Sequence, residues 1–203
     1  MSKSNENNGV LIQGHIKIHD PESGAVFVNK RNAIHYENMS IALAESVANQ
    51  GQGFINSMAF GNGGTSVDPT GIITYLTPNS TGTNASLYNQ TYSKVVDDRS
   101  VTNLDPQRNK IETRHVNGTN YTDVLVTCLL DYGEPNGQDA VDQASQANSL
   151  YVFDELGLVS YSPSGTGKLL THVVFHPVQK SLNRLVQIDY TVRVQSLTGF
   201  NEG

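Results

Sequence analysis

The chain has 203 residues and a net charge of −6, with 37% hydrophobic and only 16% charged residues, rich in glycine (18 residues). That is enough chain for one substantial domain, too few charges for a disordered polymer, and the wrong sign for a nucleic-acid binder, since its 13 Lys and Arg are scattered without a basic stripe. The single cysteine, Cys128, excludes an intramolecular disulfide and reads as a buried, inert thiol within an apolar run.

Residues 1–9 are polar, lack the apolar core of a signal peptide and are read as a flexible arm, so the chain is expected to be made in a cytosol. No run approaches the ~18 apolar residues of a membrane span. Asn-x-Ser/Thr triplets at Asn38, Asn79, Asn84, Asn89, Asn117 and Asn120 then reflect only Asn/Ser/Thr-rich loops. A single β-rich domain is expected over 10–203. From Val10 the pattern alternates, with Ile16 and Ile18 on one face and His15, Lys17 and His19 on the other. Asp20 to Gly24 supplies turn chemistry and Ala25 to Asn29 returns, predicting a hairpin.

Over 33–50 the period changes. Met39, Leu43 and Val47 recur every four residues beside Ala44 and Ala48, predicting the principal helix, with Asn32 as its N-cap and Gly51 and Gly53 ending it. Its narrow apolar stripe predicts packing onto a sheet. Residues 61–110 are dense in Gly, Pro, Asn, Thr and Asp, with apolar islands at Ile72–Leu76 and Tyr92–Val96. Two readings stand: short strands joined by long turns, or a long irregular insertion, an arm that orders against a neighbouring subunit.

Thr122 to Leu130 is apolar on both faces and predicts a central strand covered on both sides. Asp139 to Ala147 has weak helical character. Strands follow at Leu150–Phe153, Leu169–Phe175 and Leu185–Gln195, the last pointing Val186, Ile188, Tyr190, Val192 and Val194 inward. The fold class is mainly β (α+β), with β-sandwich-like antiparallel sheets and one principal helix.

The constellations that could carry chemistry fail on spacing. Ser164-Gly-Thr-Gly-Lys168 lacks the first glycine and the final Ser/Thr of a phosphate loop and predicts a hairpin turn. His15 and His19, like His172 and His176, lie four apart in strand-patterned segments, about 13 Å along a strand and too far for one metal ion. Asp97-Asp98-Arg99 reads as an exposed salt-bridged turn. Asp154-Glu155 is expected to bind backbone amides rather than substrate. Gly61-Asn-Gly-Gly64 has the composition of an anion-binding nest, with a simple turn the favoured reading. No catalytic, cofactor or metal site is expected, and the chain is not expected to be an enzyme.

Met58-Ala-Phe-Gly-Asn-Gly-Gly-Thr65, following a helix opened at Asn32-Ala-Ile-His35, resembles an apolar strand and Gly-x-Gly phrase of tailed-phage tail-fibre N-terminal and baseplate-associated domains. Phe153-Asp-Glu-Leu-Gly-Leu158, then a glycine turn and Lys168-Leu-Leu-Thr-His-Val-Val174, resembles a second phrase of the same domains, in the same order. The resemblance implies a virion structural protein of the tail or baseplate, a fibre-attachment or adaptor piece assembled in the host bacterial cytoplasm. Its expected partners are copies of itself and other virion proteins, not nucleic acid or membrane. The candidate assembly contacts are Ile72, Tyr75, Leu76, Leu87, Tyr88 and Tyr92. A neck/collar or capsid decoration protein is the alternative within that class. A carbohydrate-binding β-sandwich is the alternative outside it, disfavoured because the chain has no Trp.

Overall fold

A computed structural model describes residues 9–135 and 150–197. The expected helix around Asp139 to Ala147 and nearly all of the expected N-terminal arm of residues 1–9 lie outside these residues. Eleven strands and one helix follow in chain order: β1 (Gly9–His19), β2 (Val26–Ile34), α1 (Tyr36–Val47), β3 (Ile55–Gly61), β4 (Thr65–Val67), β5 (Ile73–Tyr75), β6 (Gln90–Val95), β7 (Lys110–His115), β8 (Tyr121–Leu130), β9 (Leu150–Ser160), β10 (Thr171–Ser181) and β11 (Val186–Leu197). Nine of the strands make one antiparallel sheet in the order β6-β3-β9-β10-β2-β1-β11-β8-β7, while β4 and β5 pair as a separate hairpin.

The β1–β2 hairpin forms as its alternation predicts. Ile16 and Ile18 are fully buried, and Asp20 closes the turn by accepting from the amides of Glu22 and Ser23 at 2.9 and 3.2 Å. Long ladders continue the sheet from β1 to β11 and from β11 to β8. At β2–β10 the pairing shrinks to Thr171↔Ile34 and His172↔Ala33, and the sheet as a whole curls. The result is a half-barrel whose two halves face each other across one core. Met58, Phe60, Phe153 and Phe175 come from one half, and Ile16, Val126, Ile188 and Tyr190 from the other. The two facing layers of the expected sandwich are thus halves of a single curled sheet. Lys94 of β6 braces the open side by donating to the Leu129 carbonyl of β8 at 2.7 Å and to the Glu134 carboxylate.

Helix α1 buries Asn38, Met39 and Ala42 against this core. Its N-cap is His35, whose Nδ1 accepts from the Asn38 amide at 3.2 Å, and not Asn32 as the sequence pattern predicts. The reason is pairing: residues through Ile34 stay extended in β2, and Asn32 donates to the Tyr190 hydroxyl instead. The apolar stripe is also shorter than expected, since Val47 is exposed and Ala42 replaces Ala44 and Ala48 on the buried side. β8 lies second from the sheet's edge, with Asp123 and Thr127 on its outer face, so it is not the doubly covered central strand its apolar content predicts. Asp123 there takes a two-pronged bond from Arg193 at 2.7 and 2.8 Å.

Residues 61–110 order against their own chain. They supply the β4–β5 hairpin and β6, which pairs with β3 at the sheet edge. Ser162 to Lys168 forms the β9–β10 turn, with Gly165 at φ +82°. Cys128 is fully buried, and loss of water pushes its thiol pKa up to about 12.

Candidate assembly surface

The two glycine-bearing phrases, a hundred residues apart in sequence, are neighbouring strands. Phe60 stands opposite Leu156 and Gly61 opposite Glu155 in the β3–β9 register. This brings the acids of β9 under the loop that leaves β3. Asp154 accepts from the amides of Gly64 and Thr65, both at 2.9 Å, and from the Thr65 hydroxyl. Glu155 accepts from the amides of Gly63, Tyr88 and Asn89 at 3.1, 2.9 and 2.8 Å, and from His172 Nε2 at 2.9 Å. The Gly61–Gly64 segment is therefore an anion nest, and its anions are the chain's own carboxylates.

Both acids are buried, Glu155 completely, as is His172. A buried carboxylate costs several kcal/mol unless its oxygens are satisfied, and Glu155 has four donors. Burial pushes its carboxyl pKa up; the His172 N–H and the amides of Asn89, Tyr88 and Gly63 outweigh it and hold it below the ordinary value. The Asn79 amide donates to His172 Nδ1 at 2.7 Å. With Nδ1 accepting and Nε2 donating, the ring is neutral with its proton on Nε2. A carboxylate sealed from solvent and saturated with donors has no lone pair to offer a substrate. Glu155, with His172, fastens residues 63, 79 and 88–89 to the sheet, and Asp154 fastens 64 and 65.

What these acids fasten is a stiff projection. Asp68 Oδ1 accepts from the Thr70 amide, the Thr70 hydroxyl and the Ile72 amide at 2.8, 2.7 and 2.9 Å, setting the hairpin tip. The Leu76 amide reaches the Gly64 carbonyl at 2.8 Å, and the Tyr88 hydroxyl donates to the Thr77 carbonyl at 2.6 Å. Tyr75 meets His176 of β10 at 3.3 Å. From this body Ile72, Tyr75, Leu76 and Tyr88 face solvent, with Ile72 63% exposed.

Of the six contacts read from the sequence, these four are each exposed. Leu87 and Tyr92 act inside the chain. Leu87 is buried with Ala59 and Leu169, and Tyr92 packs 5.8 Å from the Phe60 ring. Val67, exposed on β4, was missed because its three-residue strand is too short to show alternation. Val101 and Leu104, 98% and 97% exposed, form a second apolar projection on a loop held by Asn103, which donates to the carbonyls of Asp97 and Asn109 at 3.1 and 2.8 Å. Isolated Val and Leu in a turn-rich stretch carry no periodic signal.

The remaining His and acid pairs are split or locally paired. His172 is buried and His176 exposed on β10, while His19 bonds Asp189 at 2.9 Å. Asp97 is buried beneath an exposed Arg99, whose Nε donates to it at 3.1 Å. Among the described residues no group of three or more His, Cys, Asp or Glu is placed to hold a metal ion. No family model matches the chain, and neither a curated protein nor a solved structure matches it.

Proposed function

We propose that this chain is a structural component of a tailed-phage virion, an adaptor or attachment piece of the tail or baseplate, acting by subunit assembly rather than catalysis. The observation that carries this reading is the β4–β5 hairpin, which displays Val67, Ile72 and Tyr75 and is followed by exposed Leu76, while a buried acid network anchors it. Exposed apolar residues gathered on one element mark interaction sites. Holding them rigid lowers the ordering cost of association. The edge strands β6 and β7 offer further backbone groups to neighbours.

The test is genetic complementation. Ile72→Asp with Leu76→Asp changes only exposed side chains, so stability stays within about 0.5 kcal/mol of the parent. The variant is expected to be absent from purified particles, and incorporation at the parental level would remove the hairpin as the assembly element. Imaging of a labelled chain on the particle separates tail, neck and capsid positions.

A further inference from the structure

We infer that the outer face of the sheet binds a phosphate monoester, in the hollow between Arg31, Arg193 and Arg114. The hollow is open, holds about 440 Å³ and shares no residue with the hairpin or its acid clamp. Strand alternation builds it, because burying Ile16, Val126, Tyr190 and Val192 turns their neighbours outward. In one row of the register Arg31 of β2 stands opposite His15 of β1, His15 opposite Thr191 of β11, and Thr191 opposite Leu125 of β8. In the row beside it Arg193 of β11 stands opposite Asp123 of β8, and Asp123 opposite Arg114 of β7.

The charge pattern singles this place out. The chain has six arginines and a net charge of −6. Arg99, Arg108, Arg184 and Arg193 each meet a carboxylate. Arg31 and Arg114 are exposed, have no hydrogen bond or ion pair among the described residues, and both line the hollow. Gathering uncompensated guanidiniums costs self-repulsion, and a bound anion cancels that cost.

The acids nearby are already engaged. Asp123 takes the two-pronged bond from Arg193 at 2.7 and 2.8 Å, and the same guanidinium lies 3.8 Å above the centre of the Tyr121 ring, so Arg193 is a fixed wall. Glu112, which stands opposite Leu125, is paired with Lys110 at 3.2 Å. Three guanidiniums against one lining carboxylate leave two positive charges, matching a phosphate dianion. The planar fork of arginine suits phosphate oxygens better than a point charge does. Apolar cavities of roughly 150 Å³ already accept a benzene-sized guest, so the hollow has room for more than the phosphate. Leu125 and Thr191 of its lining offer a floor for a sugar-sized organic body.

Calorimetric titration of the full chain with glucose 6-phosphate, inorganic phosphate and uncharged glucose tests the site, at about 50 mM salt to limit screening. Glucose 6-phosphate is expected to bind one per chain with a Kd of about 1 mM or lower, inorganic phosphate more weakly, and glucose not at all. Arg31→Gln and Arg114→Gln alter exposed side chains, and each is expected to weaken binding about tenfold. Arg114→Lys keeps the charge without the fork and should fall between. Lys168→Gln removes the same charge from the β9–β10 turn and is expected to leave the affinity unchanged.

Melting temperatures verify that each variant is folded. A parent that does not bind the monoester overturns the inference, as does a Lys168→Gln loss equal to the arginine losses, which would assign binding to overall charge. A monoester held no more tightly than inorganic phosphate overturns the role given to Leu125 and Thr191. None of these results touches the assembly reading, which fails separately if hairpin variants enter particles normally.

Discussion

Gly61 of β3 stands opposite Glu155 of β9 so closely that a Cβ on Gly61 would fall 2.5 Å from Glu155 Oε1 and 2.5 Å from the Asn89 carbonyl oxygen. Both neighbours belong to the clamp, so the missing side chain is what lets the 61–65 and 88–89 segments close over the carboxylate. Gly61→Ala is therefore expected to cost about 1–3 kcal/mol, the price of overpacking, and to raise amide exchange at Gly63, Tyr88 and Asn89 ahead of the sheet. Glu155→Ala should cost more, because each buried donor left unsatisfied costs about 1–3 kcal/mol. A melting temperature unchanged in both variants would mean the clamp adds nothing to the fold.

The clamp has a definite pH dependence. The folded-state Glu155 carboxyl titrates below its ordinary value. The folded chain thus binds this proton less readily than the unfolded chain, whose carboxyl titrates at about 4.3. The contribution is fully present above that value and is lost as the pH falls through the lower, folded-state one. Other carboxylates held low by partners, such as Asp123 beside Arg193, add to the same acid loss. Comparison with Glu155→Gln isolates the clamp: the variant is expected to lose less stability between pH 6 and pH 3 than the parent, and equal slopes would assign the acid sensitivity elsewhere.

The legible parts of the molecule are those whose signal is local. Ile16 and Ile18 alternate with polar neighbours and are buried; Val186, Ile188, Tyr190 and Val192 do the same on β11. Asp154 and Glu155 were readable as amide-binding acids, yet the segments they bind begin 92 residues away at Gly63, and only the β3–β9 register brings them together. The same register explains why residues 61–110 look like an unanchored insertion: their anchors are distant and polar, invisible to periodicity. His35 replaces Asn32 as the cap because strand pairing outranked an intrinsic capping preference. The exposure of Val101 and Leu104 is likewise a property of how Asn103 holds the loop.

Cys128 provides a chemical clock for opening of the half-barrel. Its sulfur is fully buried, with its thiol pKa pushed up to about 12, so the folded chain contains essentially no thiolate at neutral pH. A maleimide or aromatic disulfide reagent is expected to leave the native protein unmodified and to react stoichiometrically in denaturant. Under native conditions the residual rate should follow global unfolding, because Cys128 lies in the central cluster rather than under a loop. Rapid labelling of the native chain would show that β8 opens independently.

Phe153 tests whether the curled sheet folds as one unit. Its ring lies 5.4 Å from Phe60 and 5.8 Å from Phe175, both edge-on, and 5.6 Å from the stacked ring of Tyr151. All four aromatics belong to the half of the sheet beyond the two-pair junction between β2 and β10, but the cluster they enter also contains Ile16, Val126 and Ile188 from the other half. If the narrow junction were the only coupling, the halves would melt separately. Continuity of the core makes the opposite expectation: Phe153→Ala should cost about 3–5 kcal/mol, and tyrosine fluorescence and far-ultraviolet circular dichroism should report one coincident transition in both parent and variant. Two resolved transitions, with only the first shifted by the substitution, would show that the facing halves are held together by packing too weak to make them cooperative.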